Sequence, residues 1–309
     1  VALGYLRVTI PDLFEPGRYG LSSAVTWVPA SDPHWQAGVQ YDTDCTEVAV
    51  TIMECISGAP SPIPGKVPTW SRGTRGAHPF TVYEEVDCTP DVDWWEVGSQ
   101  KALRALNNSG PMQLERTFQT GSVQVTGGAG PLNYPNLNSI GPIFASDGRI
   151  LLQPASTIIS GSPLDIVEGL GALETAFGLC YDGLGVVHVP IRMANEMCAR
   201  NLVYKDGNVL RTWLGNKVVI GSGYDFTKGP GNATAPGGSG WMWMTGPIFG
   251  YKAAPVVFDQ TSQFDRSVNT YKVRAEQTYL LGWQCCLVAV LVTTGGEQAG
   301  DPGTPLQDT

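Results

Sequence analysis

Charge is what this sequence has least of: 15 % of its 309 residues are Asp, Glu, Lys or Arg, where soluble domains average about 25 %. Basic charge is the scarcer kind, with 19 Lys and Arg against 28 Asp and Glu and a net charge of -9. That sign is wrong for a protein that grips phosphate backbones by counterion release, so nucleic-acid recognition is not expected. Histidine occurs three times, at His34, His78 and His188, too few for a histidine-rich metal site. None of the seven cysteines forms a CxxC pair, so neither a zinc site nor a disulfide framework is expected. The adjacent Cys285 and Cys286 point to opposite faces of a strand and read as two core thiols in a reducing compartment. The longest apolar stretch, 279–292, contains Gly282 and Gln284 and falls short of the ~20 residues of a membrane helix. No basic segment followed by an apolar one opens the sequence, so no secretion signal is expected.

Catalytic fingerprints are missing too. There is no HExxH, no GxSxG, no GxxxxGK[ST] and no GxGxxG after a strand. His188 lies in an apolar strand and reads as a satisfied core residue, and Asp42 and Asp44 read as a solvated turn instead of a cation site. Glu84, Glu85 and Asp87 are the one candidate for paired acids, the basis of an alternative reading as a glycan-acting hydrolase. A carboxylate ladder meeting Arg72 or Arg75 of a neighbouring subunit explains them as well. Trp241 and Trp243 share one strand face, which favours burial over ligand stacking. No catalytic residue, metal or cofactor is therefore expected, and the protein is not expected to be an enzyme.

What is abundant is Gly (38) and Pro (23), dispersed between apolar segments, which favours a β-rich, loop-rich α+β fold. Residues 1–38 are dense in breakers and read as an extended arm. Alternation predicts strands over 47–56 and 80–86, flanking a proline-rich and basic segment that cannot be helix or central strand and should project. Helical spacing predicts a helix from Asp93 to Leu106, stopped by Asn107-Asn108-Ser109-Gly110-Pro111, and a second short helix from Met112 to Gln119. Ser162-Pro163-Leu164-Asp165 has the form of a helix start. A strand at 185–189, a helix at 190–202 and a hairpin of 210–214 with 217–220 around Gly215-Asn216 follow. A long Gly/Pro/Asn/Ser loop over 221–240 precedes strands at 241–251, 268–278 and 280–292.

This order resembles the Hong Kong 97-type major capsid protein of tailed double-stranded DNA phages, a fold shared by encapsulin compartments. The carrying segments are FTVYEEVDCTPDVDWWEVGSQKALRAL (80–106), LERTFQTG (114–121), GVVHVPIRMANEMCARNL (185–202), VLRTWLGNKVVIGS (209–222) and NTYKVRAEQTYLLGWQCCLVAVLV (269–292). The resemblance implies an arm (1–38), extended-loop strands (39–88), a spine helix with peripheral domain (89–160), an axial domain (161–258), closing strands (259–294) and a tail (295–309). It implies a structural subunit that self-assembles as hexamers and pentamers into an icosahedral head. That head would enclose DNA without sequence-specific binding, be built in the bacterial cytoplasm, and be served by scaffolding, portal and decoration proteins, with no membrane partner. Low charge follows if much of the surface becomes interface. Lys66, Trp70, Arg72, Arg75 and His78 of the loop would contact an adjacent subunit, and Tyr224, Asp225 and Lys228 would meet symmetry mates near the capsomer axis. Some members of the family join this loop to a neighbour by a lysine–asparagine bond. Lys66 sits in a proline run that matches no such motif, so the bond is not expected. An encapsulin-like container and a virion decoration protein are the alternatives within the structural class.

Overall fold

The computed structural model describes residues 17–43, 73–88, 94–121, 136–140, 143–144, 151–153, 155–259 and 270–294. A single helical turn, α1 (Leu21–Ala24), and a short strand, β1 (Thr26–Trp27), precede a 3-10 turn and β2 (Val39–Thr43). Strands β3 (Gly73–Ala77) and β4 (Phe80–Cys88) lead into the longest element, α2 (Trp94–Thr120). Three short strands follow, β5 (Ile143–Phe144), β6 (Leu151–Gln153) and β7 (Thr157–Ile158). Next come α3 (Ile166–Cys180), β8 (Val186–Pro190), α4 (Ile191–Ala199), β9 (Val203–Asp206), β10 (Val209–Thr212) and β11 (Lys217–Gly221). The chain closes through β12 (Ser239–Thr245), β13 (Ile248–Lys252), β14 (Val256–Asp259), β15 (Tyr271–Trp283) and β16 (Leu287–Thr293).

Two large sheets result. One has seven strands in the order β7-β16-β12-β8-β11-β10-β9. In the other, β4 runs antiparallel along one edge of β15, and β13 and β14 share its other edge, with β1 outside β13. Period-two side-chain direction divides the seven-stranded sheet into two faces. Trp241, Trp243, Leu287, Ala289 and Leu291 face one core, together with α1 and α2. Met242, Met244, Val288, Val290 and Val292 face a second core, filled by Ile166, Leu170, Leu173 and Phe177 of α3 and Met193 and Met197 of α4. Buried on both faces, the central strands read as continuous apolar runs. The third sheet, β2-β3-β6-β5, carries the antiparallel pair β2–β3, and residues 44–72 between them lie outside the described residues. The strand expected over 47–56 falls there as well.

Several sequence expectations change. The two helices expected on either side of 107–111 are one helix of 27 residues with Pro111 inside it, about 40 Å long at 1.5 Å per residue. Proline within a helix costs about 3 kcal/mol. Ala102, Leu106, Leu114 and Phe118 form a buried stripe at four-residue spacing that runs through the proline, and each large apolar side chain so buried contributes ~1.5–3 kcal/mol. Burial therefore outweighs the breaker. Helix α3 begins at Ile166 with Asp165 as its cap, its Oδ1 accepting from Val167 N at 2.9 Å. The start expected at Ser162 is displaced because Leu164 bonds to the sheet instead, its N–H donating to Leu291 O at 3.0 Å. The strand expected over 241–251 is two, β12 and β13, which belong to different sheets. Likewise β15 runs unbroken through Tyr279, and the break falls at 284–286.

The cysteine expectation is overturned. Cys180 at the end of α3 is bonded to Cys286, with a Cα separation of 6.2 Å across 106 residues of sequence, and Cys285 is disulfide-bonded as well. Cys88 and Cys198 are free. A loop of that length contributes roughly 4–5 kcal/mol in the chain-entropy account.

Candidate functional site

Of the loop residues expected at a subunit interface, Lys66, Trp70 and Arg72 lie outside the described residues. Arg75 and His78 are half-buried. Arg75 turns inward, Nη1 donating to Trp283 O at 3.5 Å beside Tyr41, whose hydroxyl donates to the same carbonyl at 3.0 Å. Burial lowers the Arg75 pKa from its usual value and pushes Tyr41 up to about 12. This bond anchors β3 to the end of β15 within the subunit.

Tyr224 also moves from surface to core. It is 5 % exposed, its hydroxyl lies 2.9 Å from His188 Nδ1, and its ring centroid is 6.4 Å from that of Trp243. The reason is the loop's path. Gly223 N donates to Glu115 Oε2 at 2.8 Å, and a Cβ at Gly223 would stand 2.0 Å from the Met112 carbonyl. Gln119 completes the seam: its Oε1 accepts from Asp225 N at 2.6 Å and its Nε2 donates to the Asp225 and Lys228 carbonyls at 2.8 and 2.9 Å. The Asp225 side chain stays exposed and accepts from Thr227, while Lys228 Nζ donates to Thr234 Oγ1 at 2.9 Å. Asp225 keeps an outward carboxylate and Lys228 a half-exposed ammonium, so these two of the three expected axis residues present charge to solvent.

A polar cluster beneath this loop joins α2 to the seven-stranded sheet. Glu115 Oε1 accepts from Leu21 N at 3.0 Å, which ties α1 to α2, while Oε2 holds Gly223 and Ser222. Desolvation raises the Glu115 pKa against the pull of these hydrogen bonds. His188, fully buried, is bracketed by Tyr224 and by Thr245 Oγ1 at 3.0 Å, and burial lowers its pKa to about 3. The polar atoms of Glu115, His188 and Tyr224 already have protein partners, and the imidazole is enclosed. The arrangement holds three elements together and offers no reactant access to an acid or base. Glu115→Gln turns one acceptor into an N–H donor facing a buried backbone N–H, and is expected to cost about 1–3 kcal/mol. Urea unfolding of the isolated subunit measures it; a change within ±0.5 kcal/mol would contradict this account.

The expected acid pair separates. Glu84 faces α2 and accepts from Ser109 Oγ at 2.5 Å, whereas Glu85 faces outward to Arg274, its Oε1 accepting from Nε at 2.8 Å, with Lys272 at 4.0 Å. The partners of Glu85 are thus cations of its own chain, set opposite by the β4–β15 register. Asp87 lies opposite Lys272 on the same face. Among the described residues no three His, Cys, Asp or Glu side chains converge as a metal site requires.

Sequence reasoning missed one surface. β10 ends at Thr212, so Trp213 and Leu214, expected in a strand, occupy the turn and are 65 % and 68 % exposed. Gly215, at φ 93°, closes that turn, and a Cβ on it would touch Leu184, itself 55 % exposed. Tyr204 of the edge strand β9 packs on Trp213 with centroids 5.3 Å apart, and Trp213 Nε1 donates to Asn201 O at 2.7 Å. The signal was in the sequence: an apolar pair, Trp-Leu, directly before a Gly-Asn turn, where polar residues are usual.

No family model and no curated protein matches the chain. Solved structures do. The capsid of an empty GTA particle, computed with C5 symmetry, superposes with a TM-score of 0.52 at 10 % identity, covering 94 % of this chain and 95 % of that one. A structure from Microbacterium phage Oxtober96 matches at 0.50 and 12 % identity, over 94 % and 96 % of the two chains. The encapsulin of a holo-SrpI complex from Synechococcus elongatus matches at 0.50 and 10 % identity, over 97 % and 95 %. These end-to-end superpositions identify the fold as the Hong Kong 97-like one of capsid and encapsulin shells.

Proposed function

We propose that the chain is a structural shell subunit, a phage major capsid protein whose copies tile an icosahedral head around DNA without reading its sequence. The observation that carries this reading is the superposition on the capsid of an empty GTA particle over nearly the whole of both chains. In this reading the seven-stranded sheet with α3 and α4 is the axial domain. The sheet built on β15, with α2 across it, is the peripheral domain. The turn formed by Leu184, Trp213 and Leu214 contacts a second copy, because an exposed apolar cluster at a sheet edge is stabilised by burial between subunits. Asp225 and Lys228 lie toward neighbours, and Lys66, Trp70, Arg72 and His78 belong to the loop that overlies one. Scaffolding, portal and decoration proteins are partners of the assembled particle, which forms in the host bacterial cytoplasm. No catalytic step is assigned.

Electron microscopy paired with sedimentation mass tests the reading. Closed, uniform particles tens of nanometres across, formed by the chain alone or with its scaffold, are the expected result. Subunits that stay between monomer and hexamer under every condition, scaffold included, would overturn it. The encapsulin superposition supports a second reading, a container for protein cargo. Particle contents decide between the two: DNA for the first, a co-purifying protein for the second.

A further inference from the structure

The chain crosses between the two large sheets twice, side by side. β12 passes into β13 at Gly246-Pro247, and β15 passes into β16 at Gln284–Cys286. The two crossings are bonded together, Gln284 N donating to Pro247 O at 3.1 Å and Gly246 N to Cys286 O at 3.4 Å. They approach so closely that a Cβ at Gly246 would stand 2.0 Å from the Gln284 carbonyl. Cys285 holds a left-handed backbone, φ 59°, which few residues other than glycine adopt. At this point Cys286, 6 % exposed, is bonded to Cys180 at the exposed end of α3.

We propose that the Cys180–Cys286 disulfide is a redox-operated latch on the inter-sheet crossing. Closed, it fixes the start of β16 against the end of α3 and with it the path by which one sheet leaves the other. Open, it frees the crossing while the fold persists. Persistence follows from packing: Leu170, Leu173 and Phe177 of α3 share a core with Val288, Val290 and Val292 of β16, so the two sulfurs stay close when reduced. Access follows from exposure, since Cys180 lies at the surface and its partner does not. The oxidant is a low-molecular-weight disulfide. The Cys180 thiolate attacks one of its sulfurs and releases one small thiol, and the Cys286 thiolate then attacks the mixed disulfide at the Cys180 sulfur and releases the second. The two cysteine protons end on the two small thiols, and the two electrons reduce the small disulfide. In use, the latch rests on the shell reading: subunits assemble reduced and are fixed after release into an oxidising medium.

The test uses the full chain under oxidised and reduced glutathione. Alkylation with N-ethylmaleimide followed by peptide mapping should label Cys180 and Cys286 only after reduction, and oxidised glutathione should restore their protection. Amide hydrogen exchange should speed up more than tenfold at Gly246, Ile248 and 284–287 on reduction, with α2 and β4 unchanged. The same local change in Cys180→Ser, which leaves the Cys285 bond in place, would assign the effect to this pair. Labelling of Cys180 without reduction, uniform exchange, or an insoluble Cys180→Ser would each overturn the latch, the last by making the bond a requirement for folding. Particle formation, scored separately in each state, reports on the shell reading and not on the latch.

Discussion

Replacing Trp213 and Leu214 with glutamate is expected to abolish closed particles while leaving the subunit folded. Both side chains lie outside the two cores, and their exposure means that substitution removes little buried area within the subunit. The one polar bond at risk is that from Trp213 Nε1 to Asn201 O. The cost to folding should therefore stay near 1 kcal/mol. Assembly is affected differently. A buried tryptophan anchor at an interface is worth about 2 kcal/mol or more, and the substitution also asks each contact to bury two carboxylates. Because a shell repeats the contact at every subunit, the assembly threshold should rise by well over tenfold in concentration. Circular dichroism with thermal melting should match wild type, and sedimentation should show only small species. Particles of normal mass and yield would show that this turn faces solvent in the shell.

Much of the order of elements was legible because the strands carry their own pattern. Continuous apolar runs in 186–190, 241–245 and 287–292 are what strands buried on both faces require. Gly215 and the alternation that begins at Phe80 mark their elements directly. Failures came where tertiary contacts outweigh local signals. Pro111 reads as a stop until the stripe through Ala102, Leu106, Leu114 and Phe118 is counted across it. The crossings at Gly246 and Gln284 are invisible to periodicity, since a strand that changes sheets keeps alternating on both sides of the change.

The site was less legible, for a related reason. Tyr224 sits in a Gly/Pro-rich loop, and only the path of that loop over Glu115 and Gln119 carries it inside. Arg75 is surrounded in sequence by glycine and threonine, and its partners Tyr41 and Trp283 lie far away along the chain. The disulfide joins residues 106 apart, a pairing that no spacing rule reaches. Glu84 and Glu85 read in sequence as a ladder for a neighbour's arginines, whereas α2 supplies Ser109 to the first and β15 supplies Arg274 to the second within the same subunit.

Acidification from pH 7 to pH 5 is expected to cost the isolated subunit about 2 kcal/mol through His188 alone. Its pKa is about 3 in the fold against 6.5 when free, with burial as the cause. Between those values the unfolded chain takes up a proton that the folded chain does not. Stability is therefore fully present above pH 6.5 and is lost as pH falls toward 3, at about 1.4 kcal/mol per pH unit. The neutral ring donates from one nitrogen and accepts at the other, and the hydroxyls of Tyr224 and Thr245 take either role. A second proton on the ring would have to be accommodated between two hydroxyls with no carboxylate bonded to it. Glu115 works in the opposite sense: its folded pKa is raised, so its contribution is present at low pH and is lost as pH rises through that value. That window opens at the ordinary carboxylate value and extends upward, so it overlaps the His188 interval and offsets part of the loss. Urea unfolding at the two pH values should show a loss in wild type that is about 2 kcal/mol larger than in His188→Gln, which keeps a donor and an acceptor but does not titrate. An equal slope in the variant would place the acid sensitivity elsewhere in the molecule.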